Sequence, residues 1–186
     1  MFSDPIKNLK QLGIREDMII ADLGAGTGFY SIAAGSLVSN GKVYAVEIIK
    51  DYVVTIKNKA KEAHLHNVEC FWGNIEKIGG TKIKDNIVDV VICSNVLFQI
   101  ADVDMFVKEI KRISKIGGRI LFIDWAEESI LGPKKNKIIP KNTIIEIFKK
   151  KGFEYERDIS AGEHHYGMIL VNKSAVAEAM AGQRNI

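Results

Sequence analysis

Hydrophobic and polar residues follow two patterns along the chain, which predict strands and helices in alternation. Short apolar runs, such as 18–23 before a glycine-rich turn, are typical of strands buried on both faces of a sheet. Longer segments with apolar residues near helical spacing and lysines opposite them, such as 51–63, predict amphipathic helices. The predicted strands are Met18–Leu23, Lys42–Ile48, Val68–Trp72, Val88–Ser94, Arg119–Trp125, Phe153–Ile159 and Tyr166–Val171. The predicted helices are Thr27–Val38, Asp51–Ala63, Val103–Ser114 and Asn142–Lys151.

The order of these elements predicts the fold. Strands that alternate with helices at this spacing form parallel βαβ units, so we expect an α/β fold with a doubly wound, mostly parallel, seven-stranded sheet and helices on both faces. The last two strands have no helix between them, which predicts a C-terminal hairpin and one antiparallel strand. A chain of 186 residues fits a single domain, 1–186. Its small, polar tail, 175–186, favours a frayed helix or disorder.

Composition narrows the class of protein. An apolar fraction of 47% and a charged fraction of 26% are ordinary for soluble globular proteins. A net charge of +3 permits an anionic substrate but does not favour a nucleic-acid binder. Cys70 and Cys93 lie in apolar runs, which favours free thiols in a reducing compartment. Because 18–38 contains Asp22 and clustered glycines, we interpret it as strand, turn and helix rather than a membrane span. With no secretory signal, we expect a soluble, cytoplasmic protein.

The first strand ends in the loop DLGAGTG, residues 22–28. In open α/β sheets the ligand lies beyond the carboxyl ends of the strands, so this junction is the first candidate site. Gly24 and Gly26 can adopt positive φ and let a ligand approach the backbone closely. The dinucleotide fingerprint G-x-G-x-x-G requires a glycine at position 29, which is Phe29, and the third glycine comes early, at Gly28. This spacing disfavours a nicotinamide or flavin cofactor.

Glu47 ends the second predicted strand and is the acidic partner of that loop. A carboxylate at this place can accept hydrogen bonds from both hydroxyls of a ribose. NAD and any other adenosine-bearing ligand share that feature, so Glu47 by itself indicates only a ribose.

The combined pattern resembles class I S-adenosylmethionine-dependent methyltransferases. The likeness rests on D-x-G-x-G-x-G after the first strand and an acidic residue at the end of the second, and it covers about residues 15–173. Further stretches that carry it are 73–75, 89–91, 94–97 and 117–119. Within the family, the chain resembles small type-11-like members related to quinone-biosynthesis methyltransferases, through 124–125, 132–133 and the ending 161–167.

This resemblance implies S-adenosylmethionine as cofactor, S-adenosylhomocysteine as product, and a set of binding residues. Gly24, Ala25 and Gly26 would line the methionine moiety, and Glu47 would take the ribose. Ile48 would pack on adenine, and Asn74 and Ile75 would read its edge, although the family more often has Asp than Asn at position 74. Ser94 and Asn95 would border the methyl end. The full implied set is Asp22, Gly24, Ala25, Gly26, Gly28, Glu47, Ile48, Asn74, Ile75, Ser94 and Asn95.

The catalytic residues are less defined than the cofactor site. Related small members often have His where Phe98 stands, and Gln99 remains as the polar group of that turn. Transfer from a sulfonium needs positioning more than a protein nucleophile, and a base matters only for a weakly nucleophilic acceptor. His165 and Tyr166, between the last two strands, are the candidate bases, with a hairpin-turn role as the alternative.

Other chemistries are disfavoured. The loop after the fourth strand has no proline, unlike enzymes that methylate planar amino groups, and Cys93 is interpreted as core rather than as a nucleophile. His64 and His66 are interpreted as surface residues, so no metal is expected. Lysines in 126–140 and at 141 form either a solvated loop or a lid that favours an anionic acceptor.

The sequence therefore predicts a methyltransferase acting on a small molecule, anionic or aromatic. The alternatives are an RNA or protein methyltransferase, which has no appended binding module here, and a cofactor-binding protein without turnover. A nicotinamide dehydrogenase is disfavoured by Phe29 and by the lack of chain for a substrate domain. A homodimer stays open, because little chain precedes the first strand to roof the cleft.

Overall fold

The computed structural model describes residues 4–127, 129 and 131–173. Seven strands form one sheet in the order β3-β2-β1-β4-β5-β7-β6. The strands are β1 (Ile19–Leu23), β2 (Lys42–Glu47), β3 (Val68–Trp72), β4 (Val88–Ser94), β5 (Ser114–Trp125), β6 (Phe153–Ile159) and β7 (His165–Asn172). Only β7 runs against its neighbours β5 and β6, and the other pairs are parallel. The predicted α/β fold with one antiparallel strand is confirmed. The predicted tail 175–186 lies outside the described residues.

Helices cover both faces of the sheet, as predicted. They are α1 (Pro5–Lys10), α2 (Phe29–Leu37), α3 (Lys50–Glu62), α4 (Val103–Ile113) and α5 (Lys141–Lys149). On one face, Leu9 of α1 and Ala34 of α2 pack with Ile20. On the other, Phe106 of α4 and Phe148 of α5 pack with side chains of β4 and β5. Because the side chains of β1 and β4 alternate between these two clusters, both strands are buried over most of their length, which explains their largely apolar sequences.

Three differences from the sequence prediction have a visible local reason, and several other element bounds shift by one or two residues. Helix α2 begins at Phe29 rather than at residue 27, because Gly28 adopts φ 85°, outside the helical region. Strand β5 begins at Ser114 directly after α4, whereas the sequence predicted its start at Arg119, and the pair Gly117-Gly118 lies inside the strand beside a register shift. Helix α1 was not predicted, although the Asp4 side chain accepts from the Lys7 N–H and Pro5 follows the cap, a helix-start pattern visible in the sequence.

Among the described residues, no helix is long and apolar enough to cross a membrane. The run 18–38 divides into β1, the glycine turn and α2. This division confirms the prediction that the weakly charged run is a strand, a turn and a helix.

Candidate active site

A cleft of about 630 Å³ lies at the carboxyl edge of the parallel strands, on both sides of the boundary between β1 and β4. Strand order reverses there, and ligands of open α/β sheets bind at such a point. The predicted site residues that line it are Asp22, Gly24, Ala25, Gly26, Glu47, Ile48, Asn74, Ile75, Ser94, Asn95 and His165. Two predicted residues, Gly28 and Tyr166, lie outside its lining. One cavity thus brings together residues spread over most of the described chain.

The glycine loop has a backbone that other residues would strain. Gly24, Gly26 and Gly28 have φ of 72°, 55° and 85°. A Cβ on Gly24 would come within 2.6 Å of Val96 Cγ2, and one on Gly28 within 3.0 Å of Ile56 Cγ1, whereas one on Gly26 would meet open space. Gly24 and Gly28 are therefore needed for packing and turn geometry, and Gly26 leaves the cleft side of the loop open.

Glu47 is buried, and backbone groups fix its carboxylate. The Gly26 N–H donates to Oε2 at 2.8 Å, and the N–H groups of Ile48 and Ile49 donate to Oε1 at 2.8 and 2.9 Å. A carboxylate offers about four acceptor positions, so one remains for a ligand hydroxyl. A bond to both hydroxyls of a ribose, as the sequence predicted, would require the Gly26 N–H to give up its position.

Two buried carboxylates, those of Asp22 on β1 and Asp124 on β5, lie on the two strands that neighbour β4. Asp22 accepts a 2.6 Å hydrogen bond from the Ser31 hydroxyl, and burial raises its pKa to about 6. Asp124 accepts from the Leu97 and Trp125 N–H groups at 3.1 and 2.8 Å, and burial raises its pKa to about 6 as well. Asp22 lines the cleft, whereas Asp124 lies behind it and holds the loop after β4 against β5.

The predicted adenine region is built on the turns after β2 and β3. Ile48 is exposed, and its carbonyl accepts a 2.8 Å hydrogen bond from Trp72 Nε1. Asn74 Oδ1 accepts from the Glu76 N–H at 2.8 Å, which leaves the oxygen one further acceptor position. Ile75 is buried beneath this turn. The cleft here has both an exposed apolar side chain, that of Ile48, and a hydrogen-bond acceptor, Asn74 Oδ1. This combination suits a heterocyclic base.

The opposite end of the cleft carries polar atoms without partners. Asn95 has φ 53°, and its N–H donates to the Ile123 carbonyl at 2.9 Å. Trp125 and His165 are cross-strand neighbours of β5 and β7, with ring centroids 4.4 Å apart. Across the described residues, the buried side-chain polar atoms without a hydrogen-bond partner are Asn95 Oδ1, Trp125 Nε1 and His165 Nε2. All three residues line this one cleft.

The two candidate bases lie on opposite faces of β7. Burial lowers the pKa of His165, with a smaller contribution from His164, so its imidazole is neutral at pH 7. The Tyr166 hydroxyl donates to the Ile139 carbonyl at 3.1 Å, its ring stacks on Phe122, and burial raises its pKa. This placement supports His165 as a candidate base and does not support Tyr166.

The lysine-rich connection touches the site through one glycine. Of its described residues, none lines the cleft, and Lys134, Lys135 and Lys137 are exposed. Lys141 forms an ion pair with Asp158. A Cβ at Gly132, however, would lie 2.5 Å from Cδ2 and Cε3 of the Trp125 indole, so the loop backbone packs directly against that ring. This placement does not support a cationic lid.

The remaining candidates lie away from the cleft. Cys93 is fully buried, and burial raises its pKa well above the usual thiol value, which fits the interpretation as core. His64 and His66 are exposed, as expected. Within the described ranges, no three side chains of the metal-ligating types come together.

Several lining residues were not predicted from the sequence. They are Thr27, Phe29, Tyr30, Val46, Ile49, Tyr52, Gly73, Glu76, Val96, Gln99, Ile100 and Trp125. Trp125 ends a strand at the carboxyl edge, which is a readable signal, but its pairing with His165 depends on the register of the C-terminal hairpin. Phe29 and Tyr52 lie in the first turns of helices after β1 and β2, where ring orientation follows from packing.

Comparison with known proteins gives concordant results. A family model described as a methyltransferase domain matches residues 14–173. A demethylmenaquinone methyltransferase from Bacillus mycoides is 26% identical over 130 residues, which is 69% of this chain and 54% of that protein. The chain thus spans about half the length of the curated relatives it matches.

Solved structures resemble the whole described fold. A SAM-dependent methyltransferase from Aquifex aeolicus superposes with a TM-score of 0.84 at 28% identity, covering 92% of this chain and 90% of that one. The [4+2]-cyclase SpnF superposes with a TM-score of 0.77 at 14% identity, covering 91% of this chain and 81% of that one. At that identity, the second likeness shows the fold alone.

Proposed function

We propose, because the chain belongs to the methyltransferase-domain family, that it transfers a methyl group from S-adenosylmethionine to a small-molecule acceptor. The observation that carries the proposal is the geometry around Glu47. The buried carboxylate is held by the Gly26, Ile48 and Ile49 N–H groups at the point where the strand order reverses. A ribose placed there would have its base towards Ile48 and its other end towards the glycine loop.

The residues present fit this cofactor. Gly26 leaves open space on the cleft side of the loop, where a side chain would stand in any other residue. Glu47 keeps an acceptor position for a ribose hydroxyl, and Asn74 keeps one for an exocyclic amino group. Asp22 offers a carboxylate at the end of β1, towards which the cationic amino group of a methionine moiety would point.

S-adenosylmethionine, when bound, supplies an electrophilic methyl carbon on a sulfonium. The task of this chain is then to orient the acceptor in line with that carbon and to exclude water. His165 is the group in the cleft that can take a proton from the acceptor, since its imidazole is neutral and its Nε2 has no partner. The net change moves the methyl group to the acceptor and the acceptor's proton to the imidazole.

A small molecule is the acceptor class that the cleft favours. Its volume of about 630 Å³ is shared by cofactor and acceptor, and it lies within the typical range for small-molecule sites. The curated relatives are named for demethylmenaquinone. An aromatic acceptor is in keeping with the rings of Trp125 and His165 in the wall, and no described lysine lies there to favour an anionic one.

Calorimetric titration of the purified chain tests the cofactor assignment. S-adenosylmethionine and S-adenosylhomocysteine should bind with a Kd of about micromolar or tighter, and NAD and NADP should not compete. Transfer is then assayed by S-adenosylhomocysteine release with a panel of small aromatic hydroxyl compounds. Tight NAD binding, or no binding of either sulfur ligand, would contradict the assignment. Cofactor binding without release on any acceptor, small molecule, RNA or protein, would favour a binding protein without turnover.

Three further predictions stay untested. A cytoplasmic location is in keeping with the free thiols Cys70 and Cys93, since reducing compartments keep thiols unpaired. A homodimer and the single-domain organisation of 1–186 remain predictions as well.

A further inference from the structure

Three buried polar atoms at one end of the cleft have no partner in the described chain. They are Asn95 Oδ1, Trp125 Nε1 and His165 Nε2. Most buried polar groups in native proteins are hydrogen-bonded, because burying one without a partner is unfavourable. Three such atoms in one cavity, with no others elsewhere in the described residues, indicate a place where a ligand supplies the missing bonds.

Sheet topology separates these atoms from the predicted cofactor residues. Most residues assigned to the cofactor lie at the carboxyl ends of β1, β2 and β3, on one side of the boundary between β1 and β4, whereas Ser94 and Asn95, assigned to its methyl end, lie at the end of β4. Asn95 follows β4, Trp125 ends β5 and His165 begins β7, all on the other side. Asn95 stands next to the boundary, whereas Trp125 and His165 are one and two strands further away. This second region, here called the acceptor half, has room for a molecule other than the adenosine.

The indole of Trp125 is held rigidly. Its ring lies 4.4 Å from that of His165, and the backbone at Gly132 is so close that a Cβ there would lie 2.5 Å from the indole. The Ala126 N–H donates to the His164 carbonyl at 3.0 Å and continues the pairing of β5 with β7 beyond the two rings. These contacts on two sides of the ring set the direction of its N–H.

The acceptor half contains no charged side chain among its described lining residues. The charged groups of the cleft are Asp22, Glu47 and Glu76, on β1, β2 and the turn after β3. Glu76 is already engaged with the Ala101 and Asp102 N–H groups, at 2.8 and 2.7 Å. Because no described side chain that lines the acceptor half would neutralise a charge, the protein itself would not compensate a charged ligand there for its lost hydration.

We propose, on the premise of the proposed function, that Trp125 and His165 determine which acceptor binds. The Trp125 indole N–H donates to an oxygen of an uncharged, flat ring compound, and His165 Nε2 accepts from a hydroxyl adjacent to that oxygen. An indole N–H can only donate, so the ligand must accept there, and a neutral imidazole nitrogen that takes the proton requires an O–H opposite it. Asn95 Oδ1, at the boundary, accepts from whichever ligand reaches it.

Nuclear magnetic resonance tests the contact directly. The chain has two tryptophans, Trp72 and Trp125, so its ¹⁵N–¹H spectrum contains two indole resonances, and Trp72→Phe assigns them. The ¹⁵N-labelled protein, with and without saturating S-adenosylhomocysteine, is titrated with millimolar salicylamide, salicylate and benzamide. These probes share one ring. Salicylamide carries the hydroxyl beside a carbonyl without charge, salicylate adds a charge, and benzamide lacks the hydroxyl.

The expected result is a saturable shift of the Trp125 indole N–H with salicylamide, and a Kd at least about threefold weaker with the other two probes. The Trp72 resonance should stay in place. An unmoved Trp125 signal with salicylamide, or equal binding of salicylate, overturns the proposal. A full shift caused by S-adenosylhomocysteine alone also overturns it, because the N–H would then belong to the cofactor.

Activity gives an independent readout once an acceptor is known. Trp125→Phe keeps a ring against Gly132 and removes the N–H, so the acceptor KM should rise by about three- to tenfold at unchanged Kd for S-adenosylhomocysteine. Tyr155→Phe is the matched control, since it removes one polar atom from an exposed ring on the outer strand β6. An unchanged KM in Trp125→Phe overturns the inference. Failure of S-adenosylhomocysteine to bind the wild type would instead contradict the proposed function, which keeps the two failures apart.

Discussion

The two halves of the cleft differ in how their polar groups are satisfied. In the half formed by β1, β2 and β3, backbone N–H groups hold the Glu47 carboxylate at 2.8 to 2.9 Å, and Asn74 Oδ1 accepts from the Glu76 N–H. In the half formed by β4, β5 and β7, Trp125 Nε1 and His165 Nε2 have no partner in the described chain. The polar side chains of the first half already have protein partners, whereas these atoms of the second half have none.

This difference suggests a physical reason why one fold can bind the same cofactor and yet accept different methyl acceptors. Local backbone geometry builds the first half: the glycine turn and the N–H groups after β2 fix Glu47 from neighbouring segments. Long-range strand pairing builds the second half, where Trp125 meets His165 only through the antiparallel register of β5 and β7. Side chains in the second half can change without disturbing the glycine turn, which under the proposed function would bind the adenosine.

Glu47→Gln should produce the largest effect on cofactor binding and should affect the first half alone. Backbone N–H groups reach both carboxylate oxygens, so either orientation of the amide places its NH₂ against a donor. We expect the Kd for S-adenosylhomocysteine to rise about 100-fold by calorimetry. Glu69→Gln, on β3 and paired with Lys42, is the control and should bind normally. A Kd within threefold of wild type would contradict the role given to Glu47.

His165→Ala should break the second half alone. General-base catalysis contributes about 100-fold or more, so turnover should fall by that factor while the cofactor Kd stays unchanged. The pKa of His165 is lowered from 6.5, so wild-type activity should decline only as the pH falls through a value below 6.5, where the imidazole becomes protonated. That acidic limb of the pH–rate profile should be absent in the variant. If the acidic limb persists in the variant, another group is responsible for the titration. His66→Ala, at an exposed site, is the control.

Gly132→Ala should affect the second half of the cleft alone, because the loop backbone at Gly132 contacts the indole of Trp125. The new Cβ would lie 2.5 Å from the indole of Trp125, at a φ of +99°. Acceptor KM should rise about tenfold with the cofactor Kd preserved. Gly117→Ala matches the positive φ, at +79°, but has open space around its Cβ, so it isolates backbone strain from displacement of the indole. Equal KM values in the two variants would rule out the displacement.

Asp22→Asn should weaken cofactor binding and raise the free energy of unfolding at pH 7. Burial raises the pKa of Asp22 from 3.8 to about 6, so between pH 4 and 6 the folded state holds a proton that the unfolded state has lost. Its contribution to stability therefore falls as the pH rises through that window, by on the order of 2–3 kcal/mol. The variant should be more stable than wild type at pH 7 in urea unfolding, and the gain should vanish below pH 4.

The same variant should bind S-adenosylhomocysteine about three- to tenfold more weakly, since a charged acceptor becomes neutral. Asp17→Asn, at an exposed aspartate, is the control for the change in charge. A variant with no gain in stability at pH 7 would mean that the native carboxylate is not disfavoured by burial.

Charge reversal at Lys134 and Lys135 should have the smallest effect. Both side chains are exposed and lie outside the lining of the cleft. Turnover should stay within about twofold of wild type on every accepted substrate, because exposed charges interact weakly through water. A selective loss on anionic acceptors would restore the lid hypothesis.

Pattern reasoning located the strands well and the helix ends less well. Buried parallel strands such as β4 must be apolar throughout, so their limits are visible in the sequence. Helix limits depend on single caps: Gly28 shortened α2, and the Asp4-Pro5 signal for α1 was overlooked. Gly24, Gly26 and Glu47 were predicted from residues at fixed local spacing, and the structure places all three in the lining of one cleft.

The sequence by itself determined the strands of the sheet, the glycine turn and the acidic residue at the end of β2, because each is encoded by neighbouring residues and a short-range pattern. Only the tertiary structure decided that His165 faces the cleft while Tyr166 faces the opposite core, and that Trp125 stands between His165 and Gly132. Those outcomes depend on the register of β5 with β7, and a shift of one residue would exchange the two faces. The register is set by packing across the whole sheet, so it cannot be predicted from any short segment of the sequence.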